Sequence, residues 1–222
     1  MGKAAHNRRV FINCPFDKNY KPIFNAIVFT LHHLGYEAQY ALHKSGGGSA
    51  RLTRIYRQLC DCASSIHDIS RVSLSGPLRL PRFNMPFEAG LAYAIHASAR
   101  PGHRHDLLFL DAKAYRYQAS ISDVAGLDPK IHYNDPVKVI AEVRTFFRQH
   151  YPHIRYDDAP YIQRRYLTFL KHLEAVARTK KIKLSHLQSW DYALDLQTLM
   201  ALWIRAANRA ATRAAKKAPS NK

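Results

Sequence analysis

Residues 9–17 read R-V-F-I-N-C-P-F-D, and they decide the fold class. Val10, Phe11 and Ile12 follow one another without polar alternation, the pattern of a short strand covered on both faces. Pro15 ends the run because it has no N–H to offer a sheet ladder. Just downstream, Ile23, Ile27, Leu31 and Leu34 recur at helical spacing over residues 22–34, and Gly35 stops them. A buried strand followed at once by a helix opens a β-α unit.

The next segments repeat that alternation. Y-E-A-Q-Y-A-L (36–42) alternates as a second strand, and H-K-S-G-G-G-S-A (43–50) is a loop. A second helix over 51–63 carries Leu52, Ile55 and Leu59 on one face and Arg51, Arg54 and Arg57 on another. S-S-I-H-D-I-S (64–70) reads as the third strand. A loop rich in Ser, Gly, Pro and Leu at 72–82 leads into a third helix. D-L-L-F-L-D (106–111) is the fourth strand, 129–133 a fifth, and 136–150 a closing helix with Pro136 in its first turn. Strands alternating with helices imply an α/β, flavodoxin-like parallel sheet with helices on both faces. Ligands of such sheets bind beyond the C-terminal strand ends. That rule nominates Pro15–Asp17, Lys44–Ser49, Asp68–Arg71 and the start of the third helix.

Past residue 152 the pattern changes. D-D-A-P-Y (157–161) reads as a linker, and Ile162, Tyr166, Phe169, Leu173 and Val176 form a helical stripe. Ser185 with Gln188 reads as a capping box that opens a second helix through Trp190, Leu194 and Trp203. Arg205, Arg209 and Arg213 share one face at a spacing of four. The expected organisation is an α/β domain over 1–152, a basic helical hairpin over 157–216 and a disordered tail over 217–222.

The chain carries 34 Lys+Arg against 16 Asp+Glu, a net charge of +18 that favours anionic partners. Residues 151–222 hold 14 basic and 5 acidic side chains, the same excess as residues 1–150 in half the length. A hydrophobic content of 47% implies a globular protein. No apolar run approaches the roughly 18 residues that cross a bilayer. M-G-K-A-A-H-N-R-R lacks the apolar segment of a signal peptide, and His6 stands where a myristoylation motif needs Ser or Thr. A cytoplasmic location with no membrane partner is the expectation. Cys14, Cys60 and Cys62 form no C-x-x-C pair, as suits reduced thiols.

Glu88 is the candidate reactive group. In R-F-N-M-P-F-E-A-G (82–90) it is the lone acid of a long apolar stretch. Asn84 is the expected N-cap, Pro86 fits the first turn, and Phe87, Leu91 and Ile95 are the expected buried stripe. Ala89, Gly90 and Ala92 are small enough for a ligand or backbone to approach. Partial burial would raise the pKa of Glu88, while the helix dipole and Arg82 would lower it. A carboxylate held beside an apolar wall can stabilise or attack a developing cationic carbon. A solvated first-turn glutamate is the alternative.

Three segments carry a family resemblance. I-N-C-P-F-D (12–17) resembles the first-strand signature of nucleoside 2-deoxyribosyltransferases. F-E-A-G (87–90) resembles the F-E-x-G that holds their nucleophilic glutamate, and I-H-D-I-S (66–70) their third-strand aspartate segment. That superfamily is related in fold to Toll/interleukin-receptor (TIR) domains, whose enzymatic members cleave the nicotinamide–ribose bond of NAD with a helix glutamate. The chain also looks like bacterial proteins with a V-F-I-N-C-P-F-D start and an L-P-R-F-N-M-P-F-E-x-G core. The resemblance covers about residues 9–150. It implies that Glu88 is the catalytic carboxylate, that Asp68 orients the base or a ribose hydroxyl, and that Pro15 and Phe16 line the nucleobase or ribose pocket. Asn13, Asp17, His67 and Ser70 fall within the same segments and are substrate-binding candidates. Arg82 and Asn84 occupy the region where the transferases usually carry another carboxylate. That departure favours a phosphorylated substrate such as NAD over base exchange.

Breaking an N-ribosyl bond passes through an oxocarbenium-like state that one carboxylate can stabilise or trap. No metal or redox cofactor is expected, since neither His32-His33 nor His103/His105 has ligand spacing; NAD would be substrate. His67 reads as a strand histidine or as an acid–base group. Lys44 precedes its glycines, so K-S-G-G-G-S is not a Walker A motif. Ser45, Gly46 and Gly47 could close over a ligand or simply connect two elements, and Arg71 and Arg82 could grip phosphates or stay solvated. The leading reading is an N-glycosidase acting on NAD or a nucleotide, with a bacterial immune or toxin-like role. A non-catalytic nucleotide sensor, a nucleoside 2-deoxyribosyltransferase and a nucleic-acid binder working through the basic tail are the alternatives. Homo-oligomerisation through the C-terminal helices is a further expectation.

Overall fold

The computed structural model describes residues 7–41, 51–71, 83–100, 104–119 and 121–217. Its strands are β1 (Arg9–Asn13), β2 (Glu37–Gln39), β3 (Ser64–Asp68), β4 (Asp106–Asp111) and β5 (Lys130–Ile131). They form one sheet in the order β2-β1-β3-β4-β5, every pairing parallel. The helices are α1 (Lys21–His33), α2 (Arg51–Cys60), α3 (Asn84–Ala97), α4 (Pro136–His150), α5 (Ala159–Thr179), α6 (Leu184–Leu187) and α7 (Ala193–Lys217). This is the expected flavodoxin-like α/β fold. The chain steps outward from β1 to β2, then crosses back to β3 on the other side of β1. The strand order therefore reverses between β1 and β3, where such folds hold their ligands.

Strand periodicity sorts the side chains between the two faces. Val10, Ile12 and Cys14 pack with Ile66 against α1 and α4. Phe11 points the other way and packs with Ile55, Leu59 and Ala92 of α2 and α3. Helix α1 is apolar around nearly its whole circumference, with buried residues from Lys21 to Leu31. A helix of that kind needs cover on both sides. The sheet covers one side; α4, α5 and α7 cover the other. Phe29 meets Tyr166, Phe169 and Trp203 at ring-centroid distances of 5.3, 5.6 and 6.0 Å.

The C-terminal helices thus share one apolar core with the sheet. They pack chiefly on α1 and α4 and meet each other through Phe169 with Trp203 and Arg165 with Asn208. The expected linker at 157–161 is pinned: His33 Nε2 meets Asp157 Oδ2 at 2.9 Å, and Asp158 caps α5 by accepting from Tyr161 N. The Tyr36 and Tyr156 hydroxyls hydrogen bond at 2.6 Å. Arg205, Arg209 and Arg213 lie exposed along one face of α7, and residues beyond 217 lie outside those described.

Several local expectations are corrected. β2 is shorter than 36–42 and α2 ends at Cys60. Asn84 is the first residue of α3, not its cap, and Phe83 at the cap makes no side-chain bond. Phe87 is 60% exposed; the buried face of α3 is Met85, Glu88, Ala89 and Ala92. Ser185 caps nothing: it lies inside the short α6, and α7 begins only at Ala193. The buried stripe of α7 is Ala193, Leu196, Met200 and Ile204, while Leu194 faces solvent.

If α5 and α7 belong to the core, Phe29→Ala and Phe169→Ala each lower the unfolding free energy by about 3–5 kcal/mol in urea titrations. A loss below about 1 kcal/mol for both would separate those helices from the folding unit.

Candidate functional site

The C-terminal ends of β1, β3 and β4 carry three buried polar side chains. Asn13, Asp68 and Asp111 close their strands, each at most 2% exposed. Strand alternation divides the surrounding groups between the two faces of the sheet.

On the α2/α3 face sits Glu88, 3% exposed and ion-paired with Arg51 Nη1. Glu88 belongs to the buried face of α3, three residues after Met85, and Met85 O accepts from Asn13 Nδ2 at 3.2 Å. That bond ties the start of α3 to the end of β1. The carboxylate is close enough to raise the Cys14 thiol, after burial, Asp68 and Asp17. Arg51 lies four and eight residues before Ile55 and Leu59, which puts it on the buried face of α2 rather than on a solvated one. Among the described residues its Nε has no hydrogen-bond partner, and neither does Asn13 Oδ1. Buried groups left unspent in this way are uncommon and mark places where a ligand or water completes the shell.

A polar relay runs behind Asn13. Its Nδ2 lies 3.2 Å from His67 Nδ1, His67 Nε2 lies 2.8 Å from Ser65 Oγ, and Ser65 Oγ lies 2.8 Å from His105 Nε2. His105 Nδ1 ends the relay 2.9 Å from Cys62 O. The terminal carbonyl only accepts and the Asn13 amide only donates, so every proton in between is assigned. His105 donates from Nδ1, Ser65 to His105, His67 from Nε2, and His67 Nδ1 accepts from Asn13. Burial, reinforced by His105, pushes His67 down to about 3. His67 is a neutral strand histidine that orients Asn13.

Asp68 faces the opposite side. Oδ2 accepts from Tyr20 Oη at 2.8 Å and His132 Nε2 at 2.9 Å. Oδ1 accepts from Ser70 N at 2.9 Å and from Ser70 Oγ. His132 Nδ1 accepts from Asn134 N at 3.0 Å, which leaves its proton on Nε2 for Asp68. Tyr133 and Asn134 both take positive φ, 53° and 57°, to make that tight turn. Nearby, Arg71 donates Nε and Nη2 to Asp17 at 2.8 and 3.0 Å. Arg116 pairs with Asp111 and donates to Ser70 O at 2.8 Å, with its Nε unpartnered among the described residues.

The expected site residues therefore fall into two groups. Asn13, His67 and Glu88 converge on one face; Asp17, Asp68, Ser70 and Arg71 form a closed network on the other. Pro15 is buried between them, and Phe16 packs edge-on against Trp190 at 5.0 Å. Asn84 is exposed on the first turn of α3, and a side chain at Gly90 would meet open space. Ser45, Gly46, Gly47 and Arg82 lie outside the described residues. Arg51, Tyr20, His132 and Arg116 are the site residues that sequence reasoning passed over. Among the described residues no group of three or more His, Cys, Asp and Glu could hold a metal ion, and no helix is long and apolar enough to cross a membrane.

Asp68→Asn removes a charge that four donors address, so it lowers stability by about 2–4 kcal/mol, read by urea unfolding; a neutral effect would contradict the network. A histidine held neutral stabilises the fold above its unfolded value near 6.5 and loses that contribution as pH falls toward 3. His67 then makes unfolding easier by about 1.4 kcal/mol per pH unit below about 6, and His32, His33 and His105, also lowered by burial, act in the same sense. Stability flat between pH 7 and pH 5 would mean these rings are charged in the folded chain.

No protein-family model, no curated protein and no solved structure matches the chain.

Proposed function

We propose that the protein cleaves the N-ribosyl bond of NAD or a related nucleotide, with Glu88 as the carboxylate that meets the developing cation at C1′. The observation that carries this reading is the inward Glu88, buried on the α3 face of the β1/β3 switch point and paired with Arg51. The pairing places a counter-charge beside the buried carboxylate. A carboxylate held out of water acts on an oxocarbenium-like carbon more strongly than it would in solvent. Arg51 brings a second donor, its Nε, unpartnered among the described residues, for a phosphate or ribose oxygen. Asn13, its amide oriented by His67 and the Met85 carbonyl, offers Oδ1 to a ribose hydroxyl. Asp68 acts from behind, by fixing the strand ends. An effector role in bacterial defence, with assembly through the C-terminal helices, fits the TIR-like resemblance.

A second reading is a nucleotide sensor without turnover. The closed ion pair favours it, because Arg51 must yield before Glu88 can touch a substrate. Nicotinamide release from NAD, followed by chromatography, distinguishes the two. The enzyme reading expects release by the wild-type chain and a loss of at least about 10³-fold in Glu88→Gln, on the order of 4 kcal/mol of transition-state stabilisation. Binding of NAD by both chains with release by neither would leave the sensor.

A further inference from the structure

A cavity of about 640 Å³ lies on the other side of α1, between that helix, α4, α5 and the segment around α6. Its walls include Tyr166 and Leu170 of α5, Ser189, and the Trp190 ring. Three polar atoms among its lining residues are buried without a hydrogen-bond partner among the described residues: Lys21 Nζ, Asn25 Oδ1 and Ser189 Oγ. Lys21 is 4% exposed, its Nζ 4.6 Å from the Phe24 centroid and 4.2 Å from that of Trp190. The rings compensate part of the desolvation of an ammonium but accept none of its three N–H groups as an oxygen would.

No anion answers this charge among the described residues. Cys14, which acts electrostatically on Lys21, is pushed well above the usual thiol range by burial and then by Asp68, so it stays a neutral thiol. Asp17 is held by Arg71. The other charged lining groups, Lys18 and Asp191, are exposed. Burial holds Lys21 down to about 8, still largely ammonium at neutral pH. Residues from the first turns of both α1 and α4 also line the cavity, and helix N-termini favour negative charge. The remaining walls are largely apolar, Ser185 and Gln188 excepted, the usual composition of a small-molecule pocket of this size.

We propose that this cavity binds an organic monocarboxylate with a compact apolar body, the carboxylate seated on Lys21 Nζ and the body against Tyr166, Leu170 and Trp190. Asn25 and Ser189 supply secondary hydrogen bonds at the head. The site is separate from Glu88 and does not depend on the reaction proposed for it.

Octanoate is a suitable probe because it does not absorb where tryptophan does, and octanamide is its neutral counterpart. Titration of the full chain, followed by Trp fluorescence and calorimetry, is expected to show saturable 1:1 binding of octanoate with a sub-millimolar Kd and at least tenfold weaker binding of octanamide. Lys21→Met abolishes that preference and melts no lower than wild type, since it removes a buried unanswered charge; Lys21→Arg retains it. Leu170→Trp fills the cavity and weakens both probes at least tenfold. Equal binding of octanoate and octanamide, no binding at millimolar octanoate, an intact preference in Lys21→Met, or unaltered binding in Leu170→Trp would each overturn the proposal. A substantially lower melting temperature in Lys21→Met would do the same, by making the lysine structural.

Discussion

The carboxylate of Asp68 is the constraint on which the C-terminal edge of the sheet depends. It closes the central strand β3 and gathers donors from three separate parts of the chain: Tyr20 before α1, His132 after β5, and Ser70 in its own loop. A buried carboxylate is tolerated only when its oxygens are answered, and here both are answered twice. The converse also holds, since Tyr20 and His132 are fully buried and would be left with unspent donors if the acid were lost. One side chain thereby fixes where α1 begins and how β5 turns into α4. The loops on the rim inherit their positions from it.

The period of two along β3 then separates chemistry from support. Asp68 turns toward α1, and His67, one residue earlier, turns toward α3. A one-residue slip of β3 would exchange them and put a carboxylate beside Glu88, where two like charges would repel. In the register observed, Asn13 opposes His67 across the β1/β3 pair, and their hydrogen bond sets the amide that faces the Glu88 side. The neutral relay through Ser65 and His105 adds no charge near Glu88. Arg51 pairs with that acid, and the pairing governs whether the acid is available.

The parts of this arrangement that were legible in the sequence are those governed by local periodicity. Val10–Ile12 and Leu107–Leu110 could be read as buried strands because nothing polar interrupts them, and the βα alternation then implied the parallel sheet. Glu88 was legible through its isolation among apolar residues. Its stripe differs from the expected one because Phe87 and Leu91 outweigh Ala89 and Ala92 in hydrophobicity, whereas the face turned inward holds Met85, Glu88, Ala89 and Ala92. Arg51 carried a signal in its spacing to Ile55 and Leu59, masked by the neighbouring Arg54 and Arg57. Tyr20 and His132 carried none, because their roles arise only when segments 48 and 64 residues from Asp68 are brought together. The end of α5 was hidden for a backbone reason. Lys181 takes φ 53° in a position that usually holds glycine, with Ile182 N bonded back to Ala177 O.

The composition of α1 bears on the C-terminal helices as well. The run I-F-N-A-I-V-F-T-L has no polar side wide enough to face water, so a sheet on one side alone would leave Phe29 and its neighbours wet. Helices α5 and α7 meet that need, and in doing so they reach the rim. Trp190 donates Nε1 to Asp17 O at 3.0 Å and packs on Phe16. Asp17 in turn holds Arg71, next to the Ser70 that Asp68 grips. A continuous set of contacts therefore runs from the segment between α6 and α7 to the strand ends. Trp190 thereby ties the segment between α6 and α7 directly to the β1–α1 loop. The basic C-terminal helices are in this sense part of the scaffold that shapes the rim of the cleft.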